Sequence, residues 1–436
     1  HMTDIYSAST TFSMPETNAT ITAHYALLTV YVDANQADDS GDGTSWATAK
    51  KTIQAAINLA AVDATVWVTN GVYSPSSEIT LIRPLTVRSV DGAEETIIDG
   101  GGTHRCFNLG SSGGIISGFT ITNGYASSNG GGGVVCDRNS SSRVENCILS
   151  GNYAKYYGGG MSYGVVSNSL IRANEAGYSG GGLHDCHADD CTISENRAIQ
   201  SGGGGVYYGV ANNCLITQNR ASQRGGGGAW GVVNNCVISG NSIDGEEGGG
   251  LYDCLARNCT ITGNSGVEGG GAKSCDLLNC IVWDNTPDNL WIGNGWGSNS
   301  CSPDVTAGVD GNITNAPMLV SSSHIATNSP CRGAGNYNDA VGVDLDGTPW
   351  ANPPSMGCDE KIDGETPSGE IQVTIDGPRY IVTGHAEEYR MGVFGYAAAF
   401  QADFGNGTVR ANEFSPEMQW AVPGTYSVVL SAYHDD

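Results

Sequence analysis

Charge is scarce in this chain. Only 15% of its 436 residues are Asp, Glu, Lys or Arg, and 19 basic residues face 45 acidic ones, a formal charge of -26. So few cations cannot form the clustered Lys/Arg surface that phosphate binding needs, which argues against nucleic acid as a partner. Long apolar runs are missing as well: none approaches the ~20 residues of a membrane-spanning helix. The 64 glycines do not fall at every third position, which excludes collagen. The CxxC spacing of structural zinc sites is absent, yet there are 14 cysteines, a number that suits an oxidising compartment. Aromatic residues make up only 8%, so any place where they gather needs a reason.

What the chain has is a repeat. Glycine runs recur at 130–133, 158–160, 180–182, 202–205, 225–228, 248–250 and 269–271. An asparagine closes each unit at Asn152, Asn174, Asn196, Asn219, Asn241, Asn264 and Asn285, with separations of 22, 22, 23, 22, 23 and 21 residues. A fixed period of this size means stacked structural units. Within a unit there is no room for a helix. In Cys191-Thr192-Ile193-Ser194 the Cys and Ile share one face and the hydroxyls the other, the period of a strand with one buried side. Each coil is expected to hold two or three short strands between Gly and Asn corners. Coils stacked at ~4.8 Å pair each strand with its copies above and below. The fold class is therefore all-β, a right-handed parallel β-helix. Asn213, Asn235, Asn258 and Asn279 are expected to align at one corner and the closing asparagines at another, as structural ladders. Near the start, Ile53, Ala56, Ile57 and Ala60 make an amphipathic helix after Thr52 that can cap the open end of the stack.

Several segments resemble known groups. Ile238-Ser239-Gly240-Asn241 followed by Gly248-Gly249-Gly250 resembles the GGA(I/L) and FxxN repeats of polymorphic outer membrane proteins, which are surface β-helix adhesins. The segment Tyr31-Val32-Asp33-Ala34-Asn35 through Ile57 is similar to the opening of secreted bacterial β-helix proteins. Ser329-Pro330 through Asp344-Leu345-Asp346-Gly347-Thr348-Pro349 to Met356-Gly357-Cys358-Asp359-Glu360 resembles the C-terminal part of choice-of-anchor β-helix proteins. Residues 369–434, with Ala402-Asp403-Phe404-Gly405-Asn406-Gly407-Thr408, resemble a PKD-type β-sandwich in which Ala402 and Asn406 replace the usual Trp and second Asp. The resulting division is a tag scar and the tail of a small β repeat at 1–28, the capped β-helix at 29–300, its C-terminal cap at 301–367, and a small PKD/Ig-like β-sandwich at 368–436. The chain is expected to be a piece of a longer protein, secreted or at a bacterial cell surface; its oligomeric state is open, with a monomer favoured.

Ten cysteines fall at two positions of the repeat: Cys147, Cys191, Cys214, Cys236, Cys259 and Cys280 at one, Cys136, Cys186, Cys254 and Cys275 at the other. Two readings stand. One is disulfides within coils, Cys186–Cys191, Cys254–Cys259, Cys275–Cys280 and Cys136–Cys147, with Cys214–Cys236 between coils. The other is a reduced column of buried thiols acting as small hydrophobes.

Function has to be sought on the outer flank. After each glycine run two columns read Ser162, His184, Tyr207, Ala229, Tyr252, Lys273 and Tyr163, Asp185, Tyr208, Trp230, Asp253, Ser274. Since side chains alternate along a strand, only one column is expected to point fully outward. Tyr163, Tyr207, Tyr208, Trp230, Tyr252 and Asp253 are the candidate glycan contacts, with a polysaccharide or glycoconjugate as partner. His184, Asp185 and Asp189 are the candidate catalytic groups, in a coil that reads His184-Asp185-Cys186-His187-Ala188-Asp189-Asp190. His184 and His187 are expected on opposite faces of one strand, which removes a two-histidine metal site. A hydrolase requires two carboxyls across one sugar; Asp185 with Asp189 meets this only if the corner brings them together. For a lyase, His184 with Tyr207 is the best pair. Asp344 and Asp346 can hold calcium, the one cofactor considered, although their place in the C-terminal motif implies a turn-stabilising role. The leading expectation is a glycan- or surface-binding, adhesin-like protein. A polysaccharide lyase or glycoside hydrolase is the alternative, and a structural stalk comes third.

Overall fold

A computed structural model describes residues 27–128, 130–245, 247–291, 295–361, 371–378, 380–394, 399–411 and 416–433. The expected β-repeat tail before residue 27 lies outside these residues.

The middle of the chain is a parallel β-helix. Its faces are a twelve-stranded sheet from Leu27–Val32 to Gly297–Ser298, two ten-stranded sheets, and a six-stranded row from Tyr125–Ala126 to Ser242–Ile243. One central coil runs Leu183–His184, His187–Asp189, Thr192–Ser194 and Arg197–Ala198, so it has four short strands. Each pairs in parallel with its counterpart in the next coil, as in Thr192↔Leu215, Ile193↔Ile216 and Ser194↔Thr217. Cys191 and Ile193 are buried, at 2% and 0% exposure, and belong to the one long apolar core. The helix Ile53–Leu59 is capped by Thr52, whose hydroxyl accepts from Ala55 N. Ile53, Ala56 and Ile57 enter the same core, so the helix closes the open end of the stack. The last residue of its periodic set, Ala60, already starts the strand Ala60–Val68.

The glycine runs exist because neighbouring coils meet there backbone to backbone. A Cβ on Gly181 would lie 2.4 Å from Gly204 O and 2.5 Å from Arg197 C. At Gly204 it would lie 2.3 Å from Gly226 O. The closing asparagines form the expected ladder. Asn196 Nδ2 donates to Ile171 O in the coil before (2.8 Å) and to Asn219 Oδ1 in the coil after (2.9 Å), and Asn196 N donates to the same Oδ1 (3.0 Å). The same pattern repeats from Asn152 to Asn285 and ends on Asn289.

The other asparagine column behaves differently. Asn213, Asn235, Asn258 and Asn279 turn corners in the left-handed region, with φ of 51°, 54°, 49° and 55°. Asparagine tolerates this conformation. Asn235 donates to Asn213 Oδ1, but also to Val341 O and Val343 O of the C-terminal segment. Asn279 exchanges two hydrogen bonds with the Asn336 backbone. This column thus anchors a strap. Residues near 300–316 close the far end of the stack, where Val305 joins the core. Beyond them the chain folds back over the outer flank of the Cys-x-Ile sheet. Cys358 and Leu345 pack there on Leu215 and Val237, and Met356 on Ile281. Among the described residues, seven antiparallel strands between Gln372 and Tyr433 gather around a second small core of Phe400, Phe404, Met418 and Trp420.

The cysteines are free thiols, and all fourteen are buried. This corrects the in-coil pairings Cys186–Cys191, Cys254–Cys259 and Cys275–Cys280. In each pair one Cys precedes and the other follows a three-residue strand, such as His187–Asp189. That strand alone spans ~10 Å, beyond disulfide reach. Cys136 and Cys147 are likewise separated by the strand Arg143–Glu145. Sulfurs instead meet between coils, where Cys214 N donates to Cys236 Sγ (3.2 Å) and Cys254 N to Cys275 Sγ (3.4 Å). Cys214 and Cys236 are therefore neighbours as expected, but as thiols.

Candidate functional site

The two aromatic columns do not alternate in and out. Leu183 and Val206 point into the core, so the next residues, His184 and Tyr207, point out. The residues after those are Tyr163, Asp185, Tyr208, Trp230, Asp253 and Ser274. They turn the corner with φ between 50° and 62°. A left-handed corner breaks the period of two, so both columns face outward.

The result is a continuous ladder of rings. Successive centroids are 4.7 Å apart for Tyr157–His184, 5.6 Å for His184–Tyr207, 5.2 Å for Tyr207–Trp230 and 5.1 Å for Trp230–Tyr252. Tyr208 lies alongside, 5.9 Å from Trp230 at 22°, and is 52% exposed. The Arg224 guanidinium sits over both Trp230 (5.7 Å) and Tyr252 (5.2 Å), held by Glu247 at 2.6 Å. Glu247 also pairs with Lys273.

At its upper end the ladder opens into a cleft. One lobe, of about 590 Å³, is lined by Arg105, Tyr156, Tyr157, Ser162, Tyr163 and His184, among others. An adjoining lobe of about 560 Å³ shares Arg138, Tyr157, Tyr163 and His184 and extends to Asp185, Tyr207 and Tyr208. One wall exists because the corner between Cys136 and Arg143 is lengthened. That loop brings Arg138 to Asp185 Oδ2 (3.3 Å) and over the Tyr163 ring (5.6 Å). Arg105 is spent differently, on Glu78 at 2.8 Å and on the backbone carbonyls of Ser128, Gly130 and Gly131.

His184 is enclosed by Tyr157, Tyr163 and Tyr207 and is only 7% exposed. Its Nδ1 has no hydrogen-bond partner among the described residues. Burial among rings pushes its pKa down to about 4, and Asp185 only partly offsets this. At neutral pH it is a neutral imidazole that can donate or accept one hydrogen bond. Burial also raises the Tyr207 phenol above its ordinary value.

The three candidate catalytic residues are not brought together. His184 and Asp185 share the cleft. Asp189 lies on another face of the coil, where it accepts from Asn212 Nδ2 (2.8 Å) and meets His187 Nε2 (3.1 Å). Asp185 and Asp189 therefore do not flank one sugar. His184 and His187 are separated as expected, but by a corner at Asp185 rather than by alternation within one strand. Asp253 is an exposed corner residue beside Tyr252. Tyr157 and Arg138 were not among the candidates. The lengthened spacing between Cys136 and Cys147 was the signal for the Arg138 loop.

Asp344 serves a turn. Its Oδ1 accepts from Asp346 N (3.0 Å) and Thr348 N (2.6 Å), and its Oδ2 from Glu360 N (3.0 Å). Asp346 faces another way, toward His324 Nε2 at 2.8 Å. The two carboxylates thus bond different partners.

The family model described as Periplasmic copper-binding protein (NosD) matches residues 154–316, less than half of the chain. No curated protein matches. Among solved structures the chain is similar to one titled "Crystal structure of pectate lyase Pel9A", at 15% identity over 77% of this chain and 96% of that one, with a TM-score of 0.49. The parallel β-helix itself rests on the strand pairings described above.

Proposed function

We propose that this protein is a cell-envelope or surface β-helix protein that binds an extended glycan along the ladder from Tyr157 to Tyr252. One observation carries the reading: aromatic side chains gather on a single flank, at one or more rings per coil, and end in an aromatic-lined cleft. A regular ladder of rings and phenol tips matches a polymer that repeats sugar by sugar. Clustered rings on an exposed flank of a protein with few aromatics are costly unless something covers them. The family name that matches residues 154–316 fits an envelope location.

The test is retention on a polysaccharide panel or glycan array. Tyr208→Ala and Trp230→Ala should each weaken binding about 2- to 10-fold, the worth of one aromatic contact. If binding survives both changes together undiminished, the ladder is not the binding surface.

Cleavage of the same glycan is a second reading, favoured by one feature: Arg138 and a neutral His184 line the same cleft. A guanidinium beside an unprotonated imidazole and phenols is what β-elimination from a uronate requires. A pKa near 4 makes His184 a weak base, so binding ranks first. Unsaturated product from a uronan, lost in His184→Ala, would reverse that order.

The matching family's name mentions copper. Thiols are its soft ligands. In the matched segment they are buried; those of the repeat columns there donate S–H to the carbonyl two residues before, as Cys214 does to Asn212 O (3.1 Å) and Cys236 to Asn234 O (3.1 Å), and Cys301 donates to Asn315 O (3.2 Å). Sealed, hydrogen-bonded thiols do not fit an exchangeable copper site.

A further inference from the structure

We infer that His324, Asp346 and Asp359 form a binding site for one divalent first-row transition ion of the Zn²⁺ type, which cross-links three stretches of the C-terminal strap where it lies on the β-helix. Their donor atoms all lie within 4.8 Å of one another. The site is separate from the glycan ladder and lies outside the residues that the family model matches.

The cluster is built rather than accidental. His324 is 4% exposed and Asp359 2%. Buried charged groups are retained when something compensates them. The His324 ring is fixed from behind: Nδ1 contacts Ser323 Oγ (2.7 Å) and Ser321 Oγ (3.1 Å), and the backbone N–H donates to Ser321 Oγ (3.0 Å). Such an outer contact sets which nitrogen faces inward, as metal-binding imidazoles need. Nε2 then faces Asp346 Oδ2 at 2.8 Å and Asp359 Oδ1 at 4.0 Å, the latter beyond hydrogen-bond range. The other Asp359 oxygen accepts a long bond from Ile325 N (3.3 Å). A proton on the imidazole would leave one net negative charge among these three groups. A divalent ion on a neutral imidazole balances both carboxylates. Asp344 and Lys361 also lie within electrostatic range of the cluster.

The donor set selects the metal. One imidazole nitrogen with two carboxylates suits Zn²⁺ and its neighbours, with open positions left for water. Calcium requires six to eight oxygens and disfavours nitrogen. The role follows from where the ligands sit. They come from three stretches of a strap whose regular structure between 317 and 360 is one short 3₁₀ turn, Tyr337–Asp339, and isolated bridges. Cys358, next to Asp359, hydrogen-bonds Thr260 of the β-helix through N (3.2 Å) and Sγ (3.3 Å). An ion joining His324, Asp346 and Asp359 therefore cross-links loops that have little secondary structure to hold them.

The experiment uses the whole chain, stripped with EDTA and dialysed against Zn²⁺ or against Ca²⁺. Elemental analysis should find about one Zn²⁺ per chain in wild type and in the cleft variant Tyr208→Ala, and none in His324→Gln or Asp359→Asn. Zn²⁺ should raise the melting temperature by several degrees in the first two proteins and not in the last two. X-ray absorption of the wild-type complex should show nitrogen and oxygen neighbours without sulfur, a readout that stands even if the variants fail to fold. Absence of retained Zn²⁺, retention of Ca²⁺ in its place, equal Zn²⁺ in the variants, or sulfur in the zinc shell would each overturn the assignment. None of these outcomes depends on whether a glycan binds.

Discussion

Replacing Asn219 by alanine tests the feature that holds the coils in register. This side chain is 0% exposed and makes four hydrogen bonds. It donates to Ile193 O (2.8 Å) and Asn241 Oδ1 (3.0 Å), and it accepts from Asn196 N (3.0 Å) and Asn196 Nδ2 (2.9 Å). At about 1 kcal/mol net for each bond, plus about 1–3 kcal/mol for the Asn196 N–H left buried without an acceptor, Asn219→Ala should cost about 5–7 kcal/mol. That is comparable to the whole stability of an ordinary domain. Asn213→Gly is the control, because its corner has φ of 51° and its side chain makes two peripheral bonds, from Nδ2 to Asp190 (3.3 Å) and to Oδ1 from Asn235 Nδ2 (3.1 Å), which keeps Val341 O and Val343 O as acceptors. Glycine accepts such a backbone, so the change should stay within about 1 kcal/mol. Stacked coils can open one by one, so urea unfolding should be read together with amide hydrogen exchange across residues 190–245. An Asn219→Ala protein within about 1 kcal/mol of wild type, with unchanged protection in those coils, would refute the ladder as the source of register.

Other consequences concern protons and thiols. Because the His184 pKa is lowered to about 4 from an ordinary 6.5, the unfolded chain takes up this proton first. The stability it contributes is complete above pH 6.5 and falls by about 3 kcal/mol as acid approaches pH 4. NMR titration of labelled histidine should place the His184 midpoint near 4, and His184→Phe should remove that part of the acid sensitivity; a His184 midpoint near 6.5 would contradict the aromatic enclosure. Opposite behaviour is expected at the strap, where burial lifts Asp344 to about 6 and Asp359 to about 7. Ionising these groups costs more in the folded chain, so in metal-free protein their contribution is greatest at low pH and is lost as pH rises through those values. Asp359→Asn should flatten that part of the profile. Burial also holds the thiols of Cys106, Cys136 and Cys147 up at about 12. Alkylation without reductant should label all fourteen cysteines in urea and almost none in the native protein; fewer than fourteen labels in urea would show that disulfides form after all.

The architecture was legible in the sequence because its cause is local. Glycine stands wherever two backbones approach too closely for a Cβ, and asparagine wherever a buried corner needs an amide to bond the coils on both sides. Each requirement recurs once per coil, so a single chain displays its own pattern several times over. The capping helix was readable for the same reason, from Thr52 and the spacing of Ile53, Ala56 and Ile57. The site was only half legible. The aromatic columns were visible, but alternation assigned one of them inward, because the left-handed corner at Tyr163, Tyr208 and Trp230 leaves no mark in residue type. Disulfide pairing failed on distance: five residues apart in sequence is close, yet a straight strand between two inward sulfurs keeps them apart.

Sequence by itself thus determined the coil, its interior and the flank on which rings collect, since these follow from repeats between chain neighbours one turn apart. Only the tertiary structure decided that His184 sits neutral among three tyrosines beside Arg138, that the C-terminal segment lies along the stack as a strap, and that His324 meets Asp346 and Asp359. Those groups come from segments that do not repeat, and their meeting depends on how a loop of irregular backbone lies across a sheet, which no periodicity encodes.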